Sequence, residues 1–148
     1  MACIEPNDEI LSSDCTFSEY EFVAHVTGAT FVKAPMKDYA YDIKAMINHL
    51  TPKTKIIFIA NPNNPTGTYI PESDVVTLMK ATSPTTMVVL DEAYAEYVDA
   101  HDYPNGLNLI NKYPNLMITR TFSKIYGLAN LRIGYGIAQE NVVNQIQK

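Results

Sequence analysis

The sequence predicts an α/β fold: a three-layer α/β/α arrangement on a mostly parallel sheet, with one antiparallel strand near the carboxyl terminus. Short runs of β-branched and aromatic residues alternate with segments of helical periodicity, the pattern of βαβ units. Several of those runs, such as IIFIA ending at Ala60, are continuously apolar, as expected of strands covered on both faces. The stretch between Ser123 and Arg132 is short for a crossover helix, so the strand after it is expected to run antiparallel to the one before.

The elements follow in order. Residues 9–12 read as a short strand. Thr16 and Glu19 have the spacing of a capping box, which opens a helix to about Thr27, where Gly28 supplies a left-handed stop. Residues 30–34 form the next strand. Asp42 is placed to cap a helix in which Ile43, Met46, Ile47 and Leu50 recur at helical spacing. Residues 55–60 are a strand, and Pro71 with Glu72 and Asp74 starts the next helix with acidic groups at the positive end of its dipole. Residues 86–90 are a strand, 106–113 a short helix, 115–119 a strand and 133–138 the antiparallel strand. From Glu140 onward Val142, Val143 and Ile146 mark an amphipathic helix. No repeat or low-complexity stretch breaks the series, and residues 81–86 are too short a linker to separate domains.

With 148 residues, 47% of them hydrophobic, the chain can build one domain-sized core but not two. A formal charge of -5 argues against nucleic acid or an anionic membrane as partner. Cys3 and Cys15 are too few for a disulfide framework and are expected to be reduced thiols in a cytoplasmic setting. Neither they nor the scattered His25, His49 and His101 have metal-ligand spacing, so no metal is expected. The sequence shows no leader pattern and no apolar run of membrane length.

Three segments carry chemistry. In TFSKIYGLANLRIGYG, beginning at Thr121, Lys124 offers an amine that can bond covalently to an aldehyde such as pyridoxal phosphate. The flanking hydroxyls of Thr121 and Ser123 and the planar fork of Arg132 suit a phosphate. NPNNPTG, beginning at Asn61, follows an apolar run, and its prolines and glycine make a rigid turn from which asparagine side chains project. DEAY, beginning at Asp91, follows another such run. A carboxylate there can pair with a protonated pyridine nitrogen, and Tyr94 adds a phenol. Each segment starts at the carboxyl end of a predicted strand, and in a parallel sheet those ends share one edge, where open α/β sheets bind ligands.

These segments, in this order, resemble the class I/II aminotransferases of the aspartate aminotransferase fold, the fold-type-I pyridoxal phosphate enzymes. Within that family the phrases TPKTKIIFIANPNNPTGTYIPE, VVLDEAYAEY and RTFSKIYGLANLRIGYGIA are most similar to the histidinol-phosphate aminotransferases. The resemblance implies that Lys124 is the catalytic residue, bonded to the cofactor's aldehyde carbon, and that Asp91 pairs with the pyridine nitrogen. It implies that Asn64 and Tyr94 hydrogen-bond the phenolic oxygen, that Thr121, Ser123 and Arg132 hold the phosphate, and that Phe17, in CTFSEY at the start of the first helix, stacks on the ring. Cys15 stands where the family usually has proline, and Asn130 where glycine is common. Neither position carries chemistry.

Family members are more than twice this length, so residues 1–148 are expected to be part of the cofactor-binding large domain, without an N-terminal segment and the C-terminal small domain. The implied reaction passes the amino group of glutamate to imidazole-acetol phosphate, giving histidinol phosphate in histidine biosynthesis, with the full-length protein a homodimer. Its partners are a small-molecule amino donor and a keto acceptor. Aromatic amino acid aminotransferases and a threonine-phosphate decarboxylase share much of the framework and stand as alternatives, as does a non-catalytic fragment. The isolated chain is expected to expose apolar surface.

Overall fold

The architecture comes from a computed structural model that describes residues 3–147. In chain order its elements are β1 (Glu9–Ser13), α1 (Glu19–Thr27), β2 (Thr30–Ala34), β3 (Met36–Lys37), β4 (Ala40–Tyr41), α2 (Ile43–Asn48), β5 (Thr54–Ala60), α3 (Glu72–Ala81), β6 (Met87–Asp91), α4 (Gly106–Ile110), β7 (Leu116–Thr121), β8 (Gly134–Ile137) and α5 (Glu140–Ile146). Two single 3-10 turns, Ala95–Tyr97 and Ala129–Leu131, follow β6 and β7. The main sheet has the order β2-β1-β5-β6-β7-β8. Every neighbouring pair is parallel except β7 with β8, which is antiparallel as the short connection requires.

Side chains alternate across these strands, so each strand serves two faces. One face buries Leu11, Ile57, Ile59, Val88, Leu90, Leu116 and Ile118 against Met46 of α2, Val75, Leu78 and Met79 of α3, and Leu109 and Ile110 of α4. Fully burying a side chain of this kind contributes roughly 1.5–3 kcal/mol, which makes this face the main source of stability. The opposite face gathers Ile10, Ile56 and Val89 around Ala24 of α1, with Phe58, Met87 and Met117 only partly buried. The layers are those expected, but the two faces are not equally covered. Among the described residues α1 alone supplies a helix to the second cluster, and it packs over β1 and β2 rather than over β6 and β7.

Local chemistry accounts for most boundaries. Gly28 sits at φ 74°, and its N–H reaches the carbonyls of Ala24 and His25, ending α1 as expected. Asp42 caps α2 by accepting from the Ala45 N–H at 3.1 Å. That helix stops at Asn48, short of Leu50, because Pro52 turns the preceding residue away from helical angles. Helix α4 likewise closes at Ile110 rather than at Tyr113. The β3–β4 hairpin was not expected. Asp38 and Tyr39 both take positive φ, 51° and 63°, the geometry of a two-residue hairpin turn without the usual glycine.

The Thr16–Glu19 capping box does not form. Helix α1 begins at Glu19 with Ser18 at the cap position and no side-chain cap. Thr16 instead donates to Asn63 Oδ1 at 2.8 Å and hydrogen-bonds the Tyr41 phenol, so its hydroxyl serves tertiary contacts rather than the helix end. No helix among the described residues is long and apolar enough to cross a membrane.

Replacing Asp42 with alanine removes the only side-chain cap on α2. Urea unfolding is expected to show a loss of about 1 kcal/mol, with no change in the slope of the transition.

Candidate active site

Strands β5, β6 and β7 end in step. Ala60 lies opposite Asp91, and Asp91 opposite Thr119, so the segments that follow them leave the sheet at one edge. A cavity of about 360 Å³ opens there. Its lining includes all eight residues singled out from the sequence: Phe17, Asn64, Asp91, Tyr94, Thr121, Ser123, Lys124 and Arg132. Ala60, Pro62, Ala93, Thr119 and Arg120 complete the wall.

Asp91, the last residue of β6, is held on both sides. Its Oδ2 accepts from the Tyr20 phenol at 2.8 Å and its Oδ1 from Thr119 Oγ1 at 3.1 Å. A carboxylate has about four lone-pair sites, so both oxygens can still accept from a ligand. Burial, reinforced by the charge of Asp91, pushes the Tyr20 phenol well above the usual tyrosine range, fixing it as a donor. Tyr20 in turn stacks on Phe58 at a centroid distance of 4.5 Å and meets the Phe17 ring edge to face at 5.6 Å. Phe17 lies in the loop two residues before α1, not on its first turn, and is 38% exposed.

Asn64 projects from the NPNNPTG turn, in which the Asn61–Pro62 and Asn64–Pro65 bonds are cis. The neighbouring Asn63 is buried, and a directed chain of hydrogen bonds runs through it. Thr16 gives its one hydroxyl proton to Asn63 Oδ1, so the Tyr41 phenol, which accepts from the Ala60 N–H, must be the donor to Thr16. Asn63 Nδ2 then donates to the Cys15 carbonyl at 3.0 Å and to Thr66 Oγ1 at 2.8 Å. This chain ties the loop carrying Phe17 to the turn carrying Asn64.

The remaining groups come from the β7–β8 connection. Thr121 Oγ1 accepts from the Ser123 N–H at 3.1 Å, which tightens the turn at the strand end. Lys124 is exposed, and its Nζ stands 5.0 Å from the centroid of the Tyr94 ring, a cation–π contact. Arg132 takes φ 52°, and its Nη1 donates to the Ala129 carbonyl at 3.1 Å. One side of the cavity thus presents a carboxylate and the other two hydroxyls, an amine and a guanidinium. That donor set fits a cationic ring nitrogen at one end of a ligand and a dianion at the other.

Next to Asp91, Glu92 is fully buried. Its Oε2 accepts from Arg120 Nε at 2.9 Å and Nη2 at 2.7 Å, while its Oε1 has no hydrogen-bond partner. Burial pushes the Glu92 carboxyl above the usual carboxylate range, and Arg120 offsets this only partly. Tyr20, Thr119, Arg120, Glu92 and Asn63 were not foreseen. Tyr20 alone left a signal, since it lies in the CTFSEY segment three residues after Phe17.

The chain belongs to the class I and II aminotransferase family, whose model matches residues 1–148. It is 46% identical over 146 residues to a histidinol-phosphate aminotransferase of Moorella thermoacetica, a match that covers 98% of this chain and 38% of that one. The chain thus spans well under half the length of that curated relative. Among solved structures, the histidinol-phosphate aminotransferase of Sinorhizobium meliloti in complex with pyridoxal-5'-phosphate superposes with a TM-score of 0.84 at 32% identity, covering 91% of this chain and 37% of that one. An aspartate aminotransferase mutant from Thermus thermophilus, at 21% identity, shares the fold with a TM-score of 0.86, covering 97% of this chain and 40% of that one.

Tyr20→Phe keeps the ring stack and removes the donor to Asp91. Chemical denaturation is expected to show a loss of about 1.5–3 kcal/mol, because the lost bond is to a charged acceptor. A second outcome concerns pH. A carboxyl raised in the folded state holds its proton longer than it does in the unfolded chain, so it costs stability as pH rises through its shifted value. Glu92→Gln removes that slope. Its unfolding free energy relative to the parent should therefore increase as pH is raised from the ordinary carboxylate range upward, as followed by urea titrations at a series of pH values.

Proposed function

We propose that the cavity binds pyridoxal 5'-phosphate through Lys124 and that residues 1–148 are the cofactor-binding portion of the large domain of a histidinol-phosphate aminotransferase. The observation that carries this reading is the meeting of Asp91 and Lys124, with Thr121, Ser123 and Arg132, on the walls of one cavity at one sheet edge. The similarity to histidinol-phosphate aminotransferases over nearly the whole chain supports the substrate class.

The residues divide the work. Asp91, with each oxygen already held by a hydroxyl, has little freedom to turn and presents acceptor lone pairs to a ring N–H. Asn64 and Tyr94 offer an amide and a phenol to the phenolic oxygen, and Phe17 offers a ring face. Thr121, Ser123 and Arg132 receive the phosphate, where the guanidinium supplies charge and a planar fork. Lys124 would hold the cofactor through its Nζ, and that same Nζ, when free, would accept and return the proton of the substrate carbon. When bound, the cofactor supplies an electron sink that the protein does not have. The small-molecule partners under this reading are glutamate as amino donor and imidazole-acetol phosphate as acceptor. A homodimeric, cytoplasmic full-length protein belongs to the same reading.

The test is covalent trapping. Pyridoxal phosphate added to the purified chain should give visible absorption, and borohydride reduction followed by peptide mapping should place the label on Lys124. Lys124→Ala should remove both signals, and label scattered over other lysines would sink the assignment.

A further inference from the structure

The backbone ladder between β6 and β7 ends early. Its last paired residues are Asp91 and Thr119, and its last backbone bond runs from the Glu92 N–H to the Thr119 carbonyl at 2.9 Å. Beyond this point β6 turns away into the Ala95–Tyr97 turn, while β7 continues through Arg120 and Thr121 paired only with β8. The residues the cavity needs lie on both sides of this gap: Asp91 on one, Thr121, Ser123 and Lys124 on the other.

Past the last backbone bond one hydrogen-bonded pair of side chains crosses it, beside the looser contact of Lys124 with the Tyr94 ring. We propose that Glu92 and Arg120 form a side-chain rung that continues the β6–β7 pairing past its last backbone bond and fixes the spacing between Asp91 and the segment from Thr121 to Lys124. Both are positioning residues, and the proposal rests on the cofactor reading of the cavity. Two N–H groups of one guanidinium converge on a single oxygen, Oε2, which defines both distance and direction as a lone contact would not. The pair is unequally sheltered: the Glu92 side chain is 0% exposed and that of Arg120 28%. A carboxylate is therefore anchored in the interior, and the arginine reaches from the cavity wall to it.

The packing around Glu92 leaves that carboxylate no other place. Gly106, the first residue of α4, faces it so closely that an added Cβ would lie 2.8 Å from Glu92 Oε1 and 2.2 Å from Ile118 Cδ1. Oε1 is pressed against this helix start without a partner. Burying a charge with one oxygen unsatisfied is costly, and a well-packed apolar pair would serve the fold at least as well. The retained pair is accounted for by direction rather than by stability.

The discriminating variant is the double substitution Glu92→Met with Arg120→Met. It exchanges the ion pair for apolar side chains, a change that is generally neutral or stabilising. Melting temperature, amide hydrogen exchange without cofactor, and pyridoxal phosphate affinity with labelling of Lys124 would be measured on the 148-residue chain. The double variant is expected to melt like the parent and to keep slow exchange in β5 and β6. The Phe122 and Ser123 amides should exchange about tenfold faster or more, with cofactor affinity falling by a similar factor. Parent-like exchange at Phe122 and Ser123 overturns the rung. Should the double variant not fold, Arg120→Lys, which keeps the charge but loses the fork, is read the same way: faster exchange at those amides supports the rung and unchanged exchange overturns it. If the parent chain does not label Lys124, the cofactor reading falls, and exchange in the cofactor-free chain still decides the rung.

Discussion

The site depends on the register of three parallel strands. Because Ala60, Asp91 and Thr119 stand side by side, three segments far apart in sequence leave the sheet at one level and can face a common volume. A slip of one residue in β6 would turn Asp91 to the other face and bring Glu92 into its place. What prevents the slip is burial on the covered face, where Ile57, Ile59, Val88, Leu90, Leu116 and Ile118 are each inaccessible to solvent. The hydrophobic core therefore does more than stabilise the domain. It selects which of two adjacent carboxylates meets the cavity, and those two have opposite surroundings: Asp91 accepts from two neutral hydroxyls, Glu92 from a guanidinium.

Polar side chains then refine what the strands place coarsely. Strand ends set positions to within a residue, whereas a ligand needs its partners fixed more finely than that. The chain from Ala60 through Tyr41, Thr16 and Asn63 to Thr66 does this for the turn carrying Asn64, because each hydroxyl has one proton and so one direction in which to give it. Tyr20 does it for Asp91 while filling space against Phe58. In both cases residues that carry no chemistry limit the freedom of those that do.

Much of this was legible in the sequence, and what was not shares one cause. The strands, the antiparallel turn at β8 and the Asp42 cap follow from periodicity, connection length and local hydrogen bonding, which act over a few residues. The eight cavity residues were found because their motifs open at strand ends and because the segments resemble a known family. The Tyr20–Asp91 bond joins residues 71 apart and the Thr16–Asn63 bond residues 47 apart. No local pattern encodes such partners, and a tertiary contact at Thr16 overrode the local capping box for the same reason. The β3–β4 hairpin was missed because Asp38 and Tyr39 occupy left-handed angles that sequence reasoning assigns to glycine or asparagine.

The two walls of the cavity are not equally firm. Asp91 ends a strand paired on both sides, with its carboxylate held twice. Lys124 and Arg132 lie on a connection whose Ile125, Tyr126, Leu128, Leu131 and Ile133 are all exposed, and it leads into the edge strand β8. Segments with few buried apolar contacts open at low free-energy cost, so this wall is the softer one. A ligand that engages both walls stabilises the arrangement in which both are formed. With Lys124 and Arg132 on the soft wall and Asp91 on the firm one, binding of the ligand proposed above would order the half of the site that the sheet alone leaves loose.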